Sequence, residues 1–140
     1  MIGRQPINRA NSRARASLYA TLQLQQAINR LITVNTSERN VQAEISAIVG
    51  NSRVVLFMKG TPQFPQCGFS SRAAQILQAC GIQEFAYCNV LEDGAIREGV
   101  KTYSSWPTIP QLYVDGNFVG GADIMQEMYA SGELQSILTT

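Results

Sequence analysis

The chain contains no histidine, and this absence excludes several kinds of chemistry. Without imidazole there is no general base of that type, no histidine metal ligand and no Cys–His nucleophilic pair. Cysteine is also scarce, with only Cys67, Cys80 and Cys88 in 140 residues. An odd number of cysteines without a secretory signal argues against a disulfide framework, so we expect a reducing compartment.

Long apolar runs are absent as well, because no stretch approaches the ~20 apolar residues that a membrane helix needs. We therefore expect no membrane partner. The hydrophobic fraction of 45% is enough for a packed core, and a chain of 140 residues predicts one domain. Beyond residue 37 the chain has 6 basic and 10 acidic residues, so no basic patch favours nucleic acid as a partner.

Acidic residues are missing from the first 37 positions, which carry five arginines. Arginine- and serine-bearing N-termini without acids are typical of mitochondrial or plastid transit peptides. The alternative interpretation is a solvated basic tail. In either case we expect residues 1–40 to be a disordered extension. Four apolar residues could still lie along one side of an amphipathic helix there: Leu18, Leu22, Ile28 and Leu31.

The pattern after residue 40 predicts alternating helices and strands. A continuous apolar run is typical of a strand buried on both faces, whereas apolar residues at helical spacing predict helices. Glycine, proline and Asp-Gly-Asn signals separate these segments. The predicted helices are Val41–Val49 (ended by Gly50), Cys67–Cys80, Asp93–Tyr103, Asp123–Tyr129 and Glu133–Leu138. The predicted strands are Arg53–Met58, Glu84–Asn89, Gln111–Val114 and Phe118–Gly120.

This order of elements contains one right-handed βαβ unit followed by an antiparallel hairpin. It predicts an α/β domain over residues 41–140, with a four-stranded mixed sheet and helices on both faces. Such an arrangement is the thioredoxin fold.

Cys67 is the residue best placed for chemistry. It follows a loop of glycine and prolines and begins a predicted helix, where free backbone N–H groups and the helix dipole stabilise a thiolate. Lys59 adds positive charge, so the pKa of Cys67 should be lowered; the alternative is a merely buried thiol. Cys80, about 20 Å further along the same helix, and Cys88, in a strand, are predicted to pack as small hydrophobic residues.

The segment Cys67-Gly68-Phe69-Ser70 resembles the CGFS signature of monothiol glutaredoxins. Three further motifs similar to the family's accompany it in order and spacing, within a match over about Val41–Leu138. They are Met58-Lys59-Gly60-Thr61-Pro62, Trp106-Pro107-Thr108-Ile109-Pro110-Gln111 and Val119-Gly120-Gly121-Ala122-Asp123. The resemblance implies a glutaredoxin-like domain of the mitochondrial single-domain type, with a plastid location as the alternative.

The resemblance also implies roles for particular residues. Cys67 corresponds to the redox-active cysteine that ligates a [2Fe-2S] cluster. Seven further residues correspond to a glutathione site: Lys59, Phe69, Arg97, Thr108, Ile109, Ala122 and Asp123. Where many members carry cysteine this chain has Ala122, so a second thiol beside Cys67 is missing.

The residue types agree with these implied roles. Lys59 and Arg97 can pair with the two carboxylates of a tripeptide thiol. A cis bond before Pro110 would leave the backbone of Ile109 free to pair with an extended peptide. Asp123 could cap a helix and meet a ligand ammonium. Taken singly, the same residues are equally consistent with solvated surface charges, a core residue and a simple helix cap.

A cluster of the ferredoxin type takes four thiolate ligands, of which one chain offers one. Two copies of the chain offer two, and the resemblance implies that glutathione supplies the other two in a homodimer bridged by the cluster. The implied function is delivery of clusters to iron–sulfur assembly and recipient proteins. One alternative is slow glutathione-dependent reduction of mixed disulfides, because Ser70 stands where a dithiol enzyme has its resolving cysteine. Another is an adaptor that docks through Phe69, Trp106 and Phe118.

Overall fold

The computed structural model describes residues 20–26 and 39–140. Residues 20–26 are helical, and Leu22 and Leu24 are exposed there. The rest of the predicted extension, and with it the predicted transit peptide and its disorder, lies outside the described residues. Asn40–Thr140 form one compact unit. Within the two described ranges, no helix is both long and apolar enough to cross a membrane.

Helices and strands alternate along the compact unit, much as the pattern predicts. The helices are α1 (Val41–Asn51), α2 (Gly68–Ala79), α3 (Gly94–Ser104), α4 (Ala122–Ser131) and α5 (Glu133–Thr139), and a short 3-10 helix (Val90–Glu92) precedes α3. The strands are β1 (Val54–Met58), β2 (Ala86–Asn89), β3 (Gln111–Val114) and β4 (Asn117–Gly120).

The four strands form one mixed sheet in the order β2-β1-β3-β4. Strand β1 runs parallel to β2 and antiparallel to β3, and β4 pairs antiparallel with β3. The hairpin turn consists of Asp115 and Gly116, which have φ of 52° and 81°. A two-residue turn with two positive φ angles matches the twist of a hairpin, so β4 begins at Asn117, one residue before the prediction. The predicted thioredoxin fold is confirmed.

Side chains of β1 alternate between the two faces of the sheet. Val54, Leu56 and Met58 pack into a core with α2, α4 and α5. Val55 and Phe57 pack into a second core with α1 and α3. All five residues are buried. The continuous apolar run therefore marks a strand covered by helices on both sides, as predicted.

Three predicted boundaries are wrong by two residues: α4 ends at Ser131 rather than at Tyr129, and the other two lie in α1 and β2. Helix α1 continues through Gly50 to Asn51, and Gly50 does not have a positive φ. A glycine ends a helix when it adopts the left-handed conformation, as Gly81 does after α2 with φ of 89°. Strand β2 begins at Ala86 rather than at Glu84.

Candidate functional site

The loop between β1 and α2 forms the first wall of the candidate site. The Lys59 carbonyl accepts a hydrogen bond from the Gln66 N–H at 2.9 Å, and Thr61 and Phe64 exchange two backbone hydrogen bonds of 3.1 and 3.2 Å. Gly60 lies inside this turn with φ of 93°, and a Cβ there would come within 2.5 Å of the Phe64 carbonyl oxygen. The tight turn therefore requires glycine.

Two side chains anchor this loop to the rest of the unit. Asn89 ends β2, and its Oδ1 accepts hydrogen bonds from the N–H groups of Gly60 at 2.9 Å and Leu91 at 3.0 Å. Ser70 is fully buried, and its Oγ accepts a hydrogen bond from the Lys59 N–H at 3.0 Å. The sequence prediction missed Asn89 and gave Ser70 no role beyond replacing a second cysteine. A polar residue at the end of an apolar strand was the available signal for Asn89.

Cys67 is the N-cap residue of α2 and is partly exposed. The pKa of its thiol is lowered, chiefly by the backbone N–H of Ser70. Burial works against this, whereas the Phe69 N–H, the Lys59 charge and the Ser70 hydroxyl lower the pKa further. The side chain of Cys67 makes no capping hydrogen bond. The nearby N–H groups, the hydroxyl and the lysine charge stabilise a thiolate more than a thiol, so they lower the pKa. The helix start thus favours a thiolate at Cys67.

The segment between α3 and β3 forms the second wall, and a buried amide holds it. The Ile109–Pro110 peptide bond is cis, as predicted. Gln111 is fully buried and donates hydrogen bonds from Nε2 to the backbone carbonyls of Trp106 and Thr108, each at 3.1 Å. The hydroxyl of Tyr113 donates to Gln111 Oε1 at 3.2 Å. The sequence prediction assigned no role to Gln111.

The turn from β4 into α4 forms the third wall. Gly121 approaches the second wall so closely that a Cβ there would lie 3.2 Å from the Pro110 carbonyl oxygen and 3.3 Å from Trp106 Nε1. Asp123 lies in the first turn of α4, where its carboxylate pairs with the Arg72 guanidinium at 3.4 Å. The N-cap residue of α4 is Gly121, so the predicted capping role of Asp123 is wrong.

The three walls surround a cavity of about 380 Å³ beside the Cys67 side chain. All eight residues predicted as site residues line it: Cys67, Lys59, Phe69, Arg97, Thr108, Ile109, Ala122 and Asp123. Lys101 lines the cavity too and was not predicted. Its position four residues after Arg97, on the same face of α3, was the signal.

Two buried hydrogen-bond donors belong to residues that line this cavity. Arg97 Nε and Trp106 Nε1 have no partner among the described residues. A buried donor without a partner costs free energy, which an acceptor oxygen in the cavity would recover. The cavity is therefore suited to a ligand with carboxylate or carbonyl oxygens.

Comparisons with known proteins agree with this geometry. A glutaredoxin family model matches residues 54–119. A monothiol glutaredoxin of Synechocystis, described as ycf64-like, is 55% identical over 97 residues, which are 69% of this chain and 90% of that protein. The chain belongs to the monothiol glutaredoxins.

Further relatives carry the same family name. Monothiol glutaredoxin-S7, chloroplastic, of rice is 53% identical over 98 residues, covering 70% of this chain and 58% of the relative. Monothiol glutaredoxin-5, mitochondrial, of Lachancea kluyveri is 47% identical over 114 residues, covering 80% and 76%. The solution structure of reduced poplar apo GrxS14 matches with a TM-score of 0.63 and 50% identity, over 71% of this chain and 90% of that one.

The other two cysteines of this monothiol glutaredoxin do not line the cavity. Cys80 is buried after the last residue of α2, and burial raises the pKa of its thiol. Cys88 is half-buried in β2, and its pKa is raised by burial and by the charges of Asp93 and Glu92. Across residues 20–26 and 39–140, no group of three His, Cys, Asp or Glu residues is placed to hold a metal ion.

Proposed function

We propose that this monothiol glutaredoxin binds a [2Fe-2S] cluster together with glutathione across a homodimer and delivers it in iron–sulfur protein biogenesis. The observation that carries the proposal is the position of Cys67. Its stabilised thiolate lies beside a cavity that offers the charges a tripeptide thiol requires. In this proposal Cys67 is both the redox-active residue and the cluster ligand.

Glutathione fits the cavity in size and charge. A volume of about 380 Å³ lies within the usual range for small-ligand sites. In the proposal, Lys59 and Arg97 pair with the two carboxylates of glutathione, and Asp123 meets its ammonium. Carboxylate and peptide oxygens of the same molecule would satisfy the unpartnered nitrogens of Arg97 and Trp106. A related thiol with these charges would fit equally well.

The remaining predicted residues contribute shape. Thr108 and Ile109 lie on the second wall, where we propose that the Ile109 backbone pairs with the extended peptide. Ala122 is buried and lines the third wall, and its small side chain leaves space in the cavity that Cys67 also lines. Phe69 lies next to the thiolate and is 53% exposed, so its ring can cover one side of a bound ligand.

The cluster is the cargo in this scheme, and its ligands follow from the cysteine positions. A ferredoxin-type [2Fe-2S] cluster takes four thiolates. Each chain presents Cys67 alone at the cavity, so two copies supply two thiolates and two glutathione molecules supply the others. Because half of these ligands are exchangeable, the cluster should leave readily. Ready release suits transfer to assembly and recipient proteins better than stable electron transfer.

We also propose that residues 41–140 are the glutaredoxin domain and that residues 1–40 are a transit peptide for the mitochondrial matrix. The arginine-bearing, acid-free first 37 residues support this location. So does the mitochondrial relative of Lachancea kluyveri. The chloroplastic rice relative supports the plastid as the alternative.

The lowered pKa of Cys67 also favours a second candidate function, reduction of glutathione mixed disulfides. The Cys67 thiolate would attack the glutathione sulfur and release the substrate thiolate. A second glutathione thiolate would then attack the Cys67–glutathione disulfide, restoring Cys67 and forming glutathione disulfide. Ser70 offers no internal resolving thiol, so we expect this route to be slow.

Anaerobic reconstitution of the full chain with iron, sulfide and glutathione tests the main proposal. We expect the visible absorption of a [2Fe-2S] cluster and a dimer in size-exclusion chromatography for the wild type. Cys67→Ser should lose both. Cys88→Ser is the matched control and should retain both, because Cys88 does not line the cavity.

Two outcomes would contradict the cluster proposal. One is a cluster that forms on Cys67→Ser, and the other is a cluster that forms on the wild type without any small thiol. If no cluster forms on either protein, steady-state reduction of a small glutathione mixed disulfide decides whether the second function applies.

A further inference from the structure

Arg72 connects two residues that line the cavity, although it is not a lining residue itself. It lies in α2, the helix that begins after Cys67. The centre of its guanidinium is 5.5 Å from the centroid of the Phe69 ring, which is within cation–π distance. Its Nη1 is 3.4 Å from Oδ1 of Asp123 at the start of α4. Arg72 therefore contacts both the ring of Phe69 and the carboxylate of Asp123.

The charges around the cavity make the ion pair between Arg72 and Asp123 important for ligand binding. Three cationic residues line the cavity, namely Lys59, Arg97 and Lys101, but Asp123 is the one acidic residue among the described residues that line it. A ligand ammonium that approaches Asp123 therefore meets a carboxylate already paired with Arg72. It also meets the repulsion of the guanidinium itself.

The contact is weak enough to compete with a ligand. The side chain of Asp123 is 85% exposed and that of Arg72 is 44% exposed. A distance of 3.4 Å is long for a charge-assisted hydrogen bond. Exposed ion pairs of this kind change equilibria by factors of about two to five rather than by orders of magnitude.

We propose that Arg72 is a specificity-determining residue, which occupies the Asp123 carboxylate and thereby reduces the preference of the site for thiol peptides with a free ammonium. Arg72 acts through Asp123 and does not touch the ligand, so it is a positioning residue. The inference rests on the proposed glutathione site. It extends that proposal by predicting that the site tolerates thiol peptides whose amino group is blocked, since their carboxylates can still pair with Lys59 and Arg97.

The test compares two ligands that cannot react with Cys67. S-methylglutathione carries the free ammonium, and N-acetyl-S-methylglutathione lacks it. Isothermal titration calorimetry on the full chain gives the ratio of their dissociation constants. In Arg72→Gln we expect the preference for the free ammonium to rise about two- to fivefold over the wild type. Arg53→Gln removes the same charge at a residue outside the cavity lining and should leave the ratio unchanged.

A second background separates this mechanism from a general effect on packing. In Asp123→Asn the preference for the free ammonium should fall, and adding Arg72→Gln should raise it by a smaller factor than in the wild-type background, because only the direct repulsion by the guanidinium is then removed. An equal change in that background would mean that Arg72 acts independently of Asp123, through its own charge or through Phe69, which would overturn the proposal. An unchanged or reduced preference in Arg72→Gln alone would also overturn it, because Arg72 would then orient Asp123 for the ammonium. Binding of neither ligand to the wild type would instead refute the glutathione site, and the inference with it.

Discussion

Replacing Gln111 by leucine should loosen the second wall of the cavity and destabilise the whole unit. Leucine has a similar volume, so the core is neither emptied nor overfilled. The substitution removes two hydrogen bonds from Gln111 Nε2 to the carbonyls of Trp106 and Thr108, and one from the Tyr113 hydroxyl to Oε1. These bonds tie the wall to the first residue of β3.

The expected magnitude follows from these three bonds. Each contributes about 0.5 to 1.5 kcal/mol to stability. The carbonyls of the wall are only partly buried and can recover water, whereas the Tyr113 hydroxyl is buried. We therefore expect the free energy of unfolding to fall by about 2 to 3 kcal/mol. For a unit of this size, that loss lowers the urea midpoint by roughly 1 to 2 M.

The assay is urea unfolding followed by fluorescence and by far-ultraviolet circular dichroism. Trp106 is the single tryptophan of the chain and lies in the wall that Gln111 holds, so its emission reports on that wall directly. Tyr113→Phe is the matched control, because it removes only one of the three bonds and should cost the least. Loss of less than about 0.5 kcal/mol in Gln111→Leu would refute the reasoning, because such a loss is within the range of ordinary surface substitutions.

Two further predictions concern the thiolate and the packing of α1 against α3. Because the pKa of Cys67 is lowered, its alkylation by iodoacetamide, followed by mass spectrometry of its peptide, should reach half its maximal rate at a lower pH than for free cysteine. Lys59→Gln should raise that midpoint, because the lysine charge helps to lower the pKa of Cys67; an unchanged midpoint would contradict that cause. Gly99→Ala should lower the free energy of unfolding, because the collision of its Cβ with a side chain of α1 costs about 1 to 3 kcal/mol and outweighs the roughly 1 kcal/mol that alanine gains over glycine inside a helix. Gly50→Ala, with open space around it, should instead raise that free energy by about 0.5 to 1 kcal/mol in the same urea unfolding experiment, and equal losses in both variants would contradict the packing argument.

The elements of the fold could be predicted because their signals are local. The continuous apolar run of β1, the Asp115-Gly116 turn and the helix end at Gly81 each depend on a few consecutive residues. The prediction that Gly50 ends α1 is wrong because it relied on the residue type alone. Whether a glycine ends a helix depends on its φ, and the identity of the residue does not determine that angle.

The residues that support the site could not be predicted in the same way. Asn89 and Gly60 lie 29 positions apart and meet only because β1 and β2 are adjacent in the sheet. Arg72 and Asp123 lie 51 positions apart and meet because α2 and α4 share one face. Gln111 belongs to a predicted strand, but its buried amide has a role only in the folded structure, where it donates a hydrogen bond to the Trp106 carbonyl. Such contacts follow from the tertiary arrangement, which no local pattern contains.

The arrangement around Cys67 makes both candidate functions depend on the same external thiol. Ser70 is buried and already accepts a hydrogen bond from the Lys59 backbone, so its position serves the loop and supplies no second thiol. In the proposed cluster binding glutathione is a co-ligand, and in the second candidate function, reduction of mixed disulfides, it is the resolving thiol. Any residue that changes affinity for the thiol must therefore change both functions together. Through its hold on Asp123, Arg72 would set the thiol dependence of cluster loading and of catalysis in parallel, whichever predominates.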